Sequence, residues 1–279
     1  MVLVATSILP HIPAPRRGFA SGMIFLRLGL GVAASGTLIP QLPTTGLRDT
    51  WLGLGVLSFS LTVLSWFGRP ATNPPTAQPA PTHKAERGSL ALRVLYTQYA
   101  ANALGLVPVI VLLVDYVARG LGRGATVGAH YWILYGLAAI AGPIICGSLG
   151  GHVGFRAAWR IGLALQAIAI TVLAATGSPY VLAGATVILG VLTPGIVPIV
   201  LGRINELVPD DLVEQRAAWS RATTAFALFQ ALGGYGYSYL FCRFHNNYAL
   251  VFLCSAGALT LAFIGDVLMP ARRTEPILR

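Results

Sequence analysis

Charge is what this sequence has least of. Lysine, arginine, aspartate and glutamate together make up 10% of its 279 residues, where a soluble domain carries about 25%. The deficit is uneven. It leaves several runs of about 20 apolar residues, each long enough to cross a bilayer as a helix, and this excludes a soluble globular domain. Short alternating segments of about ten residues are missing too, which excludes a membrane β-barrel. Acids are scarcest, nine against nineteen basic residues. The five histidines are scattered over loops and span ends without ligand spacing. A membrane-embedded enzyme needs His, Asp or Glu within reach of one another at one membrane face. The sequence offers no such cluster, so neither a catalytic residue nor a metal or other cofactor is expected. Cys146, Cys242 and Cys254 lie within or at the ends of apolar runs. They read as small packing residues and not as a disulfide framework.

What is present reads as an all-α, polytopic membrane protein of about eight transmembrane helices. The apolar runs fall at roughly 20–40, 50–67, 93–117, 130–149, 158–176, 179–202, 217–242 and 247–269. Between the second and third lies "GRPATNPPTAQPAPTHKAERGS", whose Pro, Ala and Thr content cannot build a core and predicts an extended linker. The expected organisation is an N-terminal segment 1–18, two helices over 19–68, the Pro-rich linker 69–92, a six-helix unit 93–270 and a tail 271–279. The start of the chain has no clear signal-peptide pattern; "PRRGF" follows a short, proline-interrupted apolar stretch.

The net charge of +10 does not point to nucleic acid, because the basic residues sit between the spans and form no single patch. They act as topology signals. With the N-terminus in the cytoplasm, 14 of the 19 Lys and Arg fall in inside loops, 4 (Arg48, Arg119, Arg123, Arg243) in outside loops, and Arg27 lies within a span. Both termini are therefore expected to be cytoplasmic. The expected partners are the lipid bilayer and a small solute, with no obligate protein partner evident.

The stretch "HYWILYGLAAIAGPIICGSLGGHVGFR", residues 130–156, is apolar yet rich in glycine. Gly136, Gly142 and Gly147 are small positions where another backbone can approach closely, and Pro143 can kink a helix if neighbours compensate. Helix packing and a gating role are both open readings. Pro194 and Pro198 in "TPGIVPIVLGR" remove backbone hydrogen bonds and permit bending. The acidic-basic run "NELVPDDLVEQRAAWSR" reads as a solvated loop with a helix start, or as a gate of salt bridges.

Ionisable groups inside a membrane are functional candidates. Arg27 either meets an anionic substrate in a cavity or snorkels to the interface. Asp115 and Arg119 are four apart on one helix and can pair. Asp115 is thus either half of a structural ion pair or a proton-titrating acid. Asp266 reads as an interface anchor.

The turn "GSLGGHVGFRAAWR" resembles the cytoplasmic G-x-L-x-D-R-x-G-R-[KR] loop of the major facilitator superfamily. Gly147, Leu149, Gly154 and Arg156 match, whereas Gly151 replaces the acid and His152 the first basic residue. "GLGVAASGTLIP" with "WLGLGVL", and then "LVDYVARGLGRG", "YWILYGLAAIAGP", "TPGIVPIVLGRINELVP" and "AAWSRATTAFALFQALGGYGYSYLF", are similar in order to helices 5, 6, 7, 8, 10 and 11 of that superfamily's bacterial YbfB/YjiJ-type branch. The resemblance implies a fold like helices 5–12 of the major facilitator fold, with the first four helices lacking. A truncated gene, a late start codon or a fragment is the expected cause. It further implies a secondary transporter in a bacterial inner membrane, moving a small solute by alternating access and coupled to protons for efflux or uptake. The alternative is a transport-inactive remnant that still inserts. By analogy with cavity-bordering helices, Asn102, Tyr135, Thr193, Gln230 and Tyr235 would line the substrate path, interhelical hydrogen bonding being the other reading for Asn102 and Gln230. Tyr131 and Trp132 are expected in an aromatic belt.

Overall fold

The computed structural model describes residues 29–37, 46–67, 90–209 and 211–268. Arg27, the linker over 69–89 and the two terminal segments lie outside the described residues.

All regular structure among the described residues is helical. Helix α1 is described over 29–37. It is followed by α2 (Leu47–Phe67), α3 (Leu90–Asp115), α4 (Ala125–Val153), α5 (Phe155–Ala175), α6 (Pro179–Leu207), α7 (Leu212–Arg243) and α8 (Tyr248–Leu268). Each coincides with one apolar run of the sequence. A π-helical turn, Tyr116–Gly120, extends α3. Six of these helices are long and apolar enough to cross a membrane: α2, α3 with its π turn, α4, α5, α6 and α8. The expected seventh span, α7, is long enough at 32 residues. Its Ser, Thr, Gln, Tyr and Gly content makes it more polar than a lipid-surrounded helix, and a polar helix at membrane depth is tolerated where it faces protein or water.

The ends of α4 differ most from the sequence expectation. The helix begins at Ala125 rather than near 130 and runs on to Val153, through the whole Gly147–Gly151 run. The expected glycine-rich turn shrinks to Gly154, whose φ of 84° lies in the left-handed region that only glycine enters without penalty. Glycine inside a helix is costly in water but common in membrane helices, where close packing offsets it. Pro108, Pro143, Pro194 and Pro198 likewise lie inside continuous helices.

Helices α3 to α8 form one packed unit. Helix α4 lies along α6, α3 along α7 and α5 along α8, while α3 also packs on α8 and α5 on α6. This set is unchanged when the triplet α3–α5 is exchanged for the triplet α6–α8. The six helices are thus two three-helix repeats joined pseudo-symmetrically. In lipid, apolar burial does not drive helices together; packing and interhelical hydrogen bonds do. Accordingly α4 and α6 meet through small residues. A Cβ on Gly142 would run into the Val191 carbonyl, and one on Gly190 would lie 2.5 Å from the Tyr135 carbonyl. Trp159, Phe252, Leu163 and Ile170 are fully buried at the centre of the unit. Helix α2, by contrast, is apolar and unburied along its length.

Candidate functional site

Helix α1 docks on α4. Gly29 and Gly36 sit against Ile140 and Ile133, and Gly136 of α4 sits against Ala33. Above this seam the Trp132 indole N–H donates to Ser35 Oγ at 3.0 Å, and Ser35 in turn donates to the Val32 carbonyl at 2.7 Å. The Trp132 ring stacks on Tyr135, with centroids 5.1 Å apart and planes 4° from parallel. Tyr135 then donates its hydroxyl to Thr193 Oγ1 on α6 at 2.7 Å. Thr193 donates to the Leu189 carbonyl at 2.8 Å. Two expected path residues, Tyr135 and Thr193, are therefore brought together. A residue expected only in an aromatic belt, Trp132, belongs with them. Its spacing of three from Tyr135 put both on one helix face, but nothing in the sequence paired it with Ser35, 97 positions away.

Asn102 faces a different neighbour. It is fully buried and donates through Nδ2 to Gln166 Oε1 on α5 at 2.6 Å. One turn earlier, Gln98 Oε1 accepts from the Trp159 indole at 3.0 Å. Gln230 is half-buried on α7, and Tyr235 is 81% exposed. Neither joins the Tyr135–Thr193 pair or makes a side-chain hydrogen bond among the described residues.

At the end of the bundle that carries Asp115, the Asp115–Arg119 pair forms, Nε to Oδ1 at 3.2 Å. The other carboxylate oxygen accepts from the Tyr248 hydroxyl at 2.5 Å, a partner that sequence reasoning missed. Tyr116, first residue of the π turn, donates to the Leu173 carbonyl at 2.8 Å. Arg123 reaches the Gly177 carbonyl and so ties the α3–α4 loop to the α5–α6 loop.

The opposite end, around Gly154, is charged. Arg160 Nε lies 2.6 Å and Arg156 Nε 3.6 Å from Asp266 Oδ2, and the Asp266 backbone carbonyl accepts from both arginines. Glu206 accepts from the Phe155 N–H at 3.1 Å, capping α5, and pairs with Arg203 at 2.8 Å. Glu214 pairs with Arg221 at 2.9 Å. Asp211 caps α7 through the Val213 and Glu214 N–H groups, each at 2.9 Å. The acidic-basic run of the sequence is thus an ordered set of caps and ion pairs. A Cβ on Gly147 would lie 3.9 Å from Pro198 of α6 and one on Gly142 3.2 Å from Pro194, so four of the residues singled out for gating face one another along the α4–α6 seam; Gly154 and Arg156 lie beyond it.

No group of three His, Cys, Asp or Glu among the described residues could hold a metal ion. The arrangement offers helix seams, hydroxyl and amide hydrogen bonds and charged ends.

The family model described as the uncharacterised MFS-type transporter YbfB matches residues 1–266. The chain belongs to this family. It is a multi-pass membrane protein of an MFS-type transporter family, which implies transport and not enzyme chemistry. No curated protein matches the chain at a significant level. The exchange of triplets within α3–α8 is the internal repetition from which transporter folds of this kind are built, and the Gly142–Pro194 seam couples one repeat to the other.

Proposed function

We propose that this MFS-type chain is a secondary transporter that moves a small solute across a bacterial inner membrane by alternating access, with both termini cytoplasmic. The packing of the two triplets carries the reading. A six-helix unit built of two such repeats can rock as one body against a neighbouring bundle around a site between them. The 14-to-4 distribution of Lys and Arg supports placing the Gly154 end in the cytoplasm. The substrate path would run along Tyr135 and Thr193, with Gln230 and Tyr235 of α7 and Arg27 as further contacts, Arg27 favouring an anion. Asn102 would act on the path through α3 and Gln166. Asp115 is the proposed proton-carrying acid, gated by Tyr248 and Arg119. Gly142, Pro143, Gly147, Pro194 and Pro198 would let the α4–α6 seam flex, and Gly154 with Arg156 would fix the cytoplasmic turn.

The test is uptake by the purified chain in proteoliposomes under an imposed pH gradient. The panel would contain small anionic and neutral solutes, with internal pH followed at the same time. Solute-dependent proton flux supports the proposal. Tight liposomes with correctly inserted protein and no flux for any solute overturn it.

A further inference from the structure

Asn102, Gln166 and Gln98 are 0%, 0% and 5% exposed, and each retains one polar atom without a hydrogen-bond partner among the described residues: Asn102 Oδ1, Gln166 Nε2 and Gln98 Nε2. The three side chains are adjacent. Gln98 and Asn102 lie one turn apart on one face of α3, and Asn102 bonds Gln166 directly. Their depth is the same. Asn102 lies twelve residues past the start of α3 and Gln166 eleven past the start of α5, roughly 17 Å along a helix at 1.5 Å per residue. That is near the middle of a hydrocarbon core about 30 Å thick. The backbones of α3 and α5 approach each other little, so long side chains span the gap between them. Tyr99 closes it on one side, edge-on to Trp159. On another side Ser255 of α8 donates to the Gly105 carbonyl.

The unused groups are two donors and one acceptor. Exchanging the oxygen and nitrogen of both Asn102 and Gln166 keeps their mutual bond and still leaves two donors and one acceptor, so the count does not depend on how the amides are assigned. We infer that these three amides form a binding site for a buried water at mid-membrane depth. The water accepts from Gln98 Nε2 and Gln166 Nε2 and donates to Asn102 Oδ1. Three bonds are what a buried water typically makes. A second direct amide bond beside Asn102–Gln166 would fix α3 against α5 rigidly. Bonds through a water can exchange as the two helices shift, so the site gives α3 a polar surface on which to move inside the membrane.

Hydroxyl radicals made from a bound water by X-ray radiolysis oxidise the side chains beside it, however deeply these are buried. The full chain in nanodiscs is the sample, and oxidation is read by mass spectrometry at Trp159 and Phe252, both fully buried, after correction for intrinsic reactivity. Trp159, bonded to Gln98, is expected to be oxidised several-fold faster than Phe252, which packs among apolar and aromatic neighbours. Gln166→Leu, which removes the unused donor Gln166 Nε2 together with Gln166 Oε1, the acceptor that holds Asn102 Nδ2 in place, is expected to bring Trp159 down to the Phe252 rate. Equal protection of the two residues in the native chain overturns the site, whether or not the variant folds. Undiminished Trp159 oxidation in a folded Gln166→Leu chain overturns the role of the amides.

Discussion

The Tyr248 hydroxyl donates to Asp115 Oδ2 at 2.5 Å and joins the start of α8 to the end of α3 across 133 positions. Arg119 holds the other carboxylate oxygen, but its side chain is 82% exposed, and exposed ion pairs contribute about 0–1 kcal/mol. The ion pair with Arg119 therefore adds little to stability and leaves the charge of Asp115 available for function. Asp115→Asn keeps an acceptor for Tyr248 and loses only the charge. It is expected to abolish pH-driven uptake while shifting the thermal unfolding midpoint little. Uptake equal to that of the native chain would leave Asp115 a structural pairing residue.

Tyr248→Phe removes the hydrogen bond and keeps the ring, which packs at 5.4 Å from Tyr116 and 4.7 Å from Phe241. The expected loss is about 1.5–3 kcal/mol for a hydrogen bond to a charged group, read from reversible unfolding in detergent. A loss of this size in Tyr248→Phe but not in Arg119→Gln would rank the two partners of Asp115 as the distances do.

The apolar runs made each described helix legible in the sequence, because length and apolarity are the first requirements of a segment that spans a bilayer. The end of α4 was not legible. The glycine-rich run from Gly147 to Gly154 reads as a turn by the rules of water-soluble helices, yet the helix continues through Gly147, Gly150 and Gly151, with Gly150 against Phe155, and only Gly154 breaks it. The site was half legible. Tyr135 and Thr193 were named because the family resemblance puts their helices beside the cavity. Ser35, Gln166 and Tyr248 were missed because each is a common residue type whose role depends on a partner 64 to 133 positions away.

The α4–α6 seam tolerates no added atoms at Gly142. A Cβ there meets the Val191 carbonyl carbon at 3.0 Å and the Pro194 ring at 3.2 Å, and its oxygen closer still. These atoms are backbone and proline ring, which cannot rotate away. Gly142→Val is expected to cost about 1–3 kcal/mol by overpacking and to slow transport even where the protein remains inserted. Gly257→Val, at a glycine with open space around it, is the control and should leave both readouts nearly unchanged.

Helix α1 is held to the six-helix unit by a glycine seam and by one polar bond, Trp132 Nε1 to Ser35 Oγ at 3.0 Å. A double-mutant cycle with Trp132→Phe and Ser35→Ala isolates that bond, since phenylalanine preserves the stack on Tyr135. Hydrogen bonds between membrane helices average about 0.6 kcal/mol, so a coupling of roughly that size is expected. A coupling of zero would mean that the glycine seam alone seats α1.

Asp266 is the one carboxylate shared by two arginines at the Gly154 end, and it is 6% exposed. Breaking a fully buried pair by removing one partner costs about 3–5 kcal/mol. Here the side chains of Arg156 and Arg160 are 22% and 32% exposed, so solvent and lipid headgroups screen part of the penalty and Asp266→Ala is expected to cost about 1–3 kcal/mol. Arg156→Gln should cost less, because Arg160 still holds the carboxylate at 2.6 Å. The informative variant is the double replacement of Arg160 and Asp266 by leucine. Asp266→Ala leaves two arginines without their carboxylate, whereas the double replacement leaves only Arg156, which still reaches the backbone carbonyl at 266, so it should recover part of the stability lost in Asp266→Ala. A double variant less stable than Asp266→Ala would show that the ion pair is net stabilising, and that the Asp266 backbone carbonyl needs its arginine donors.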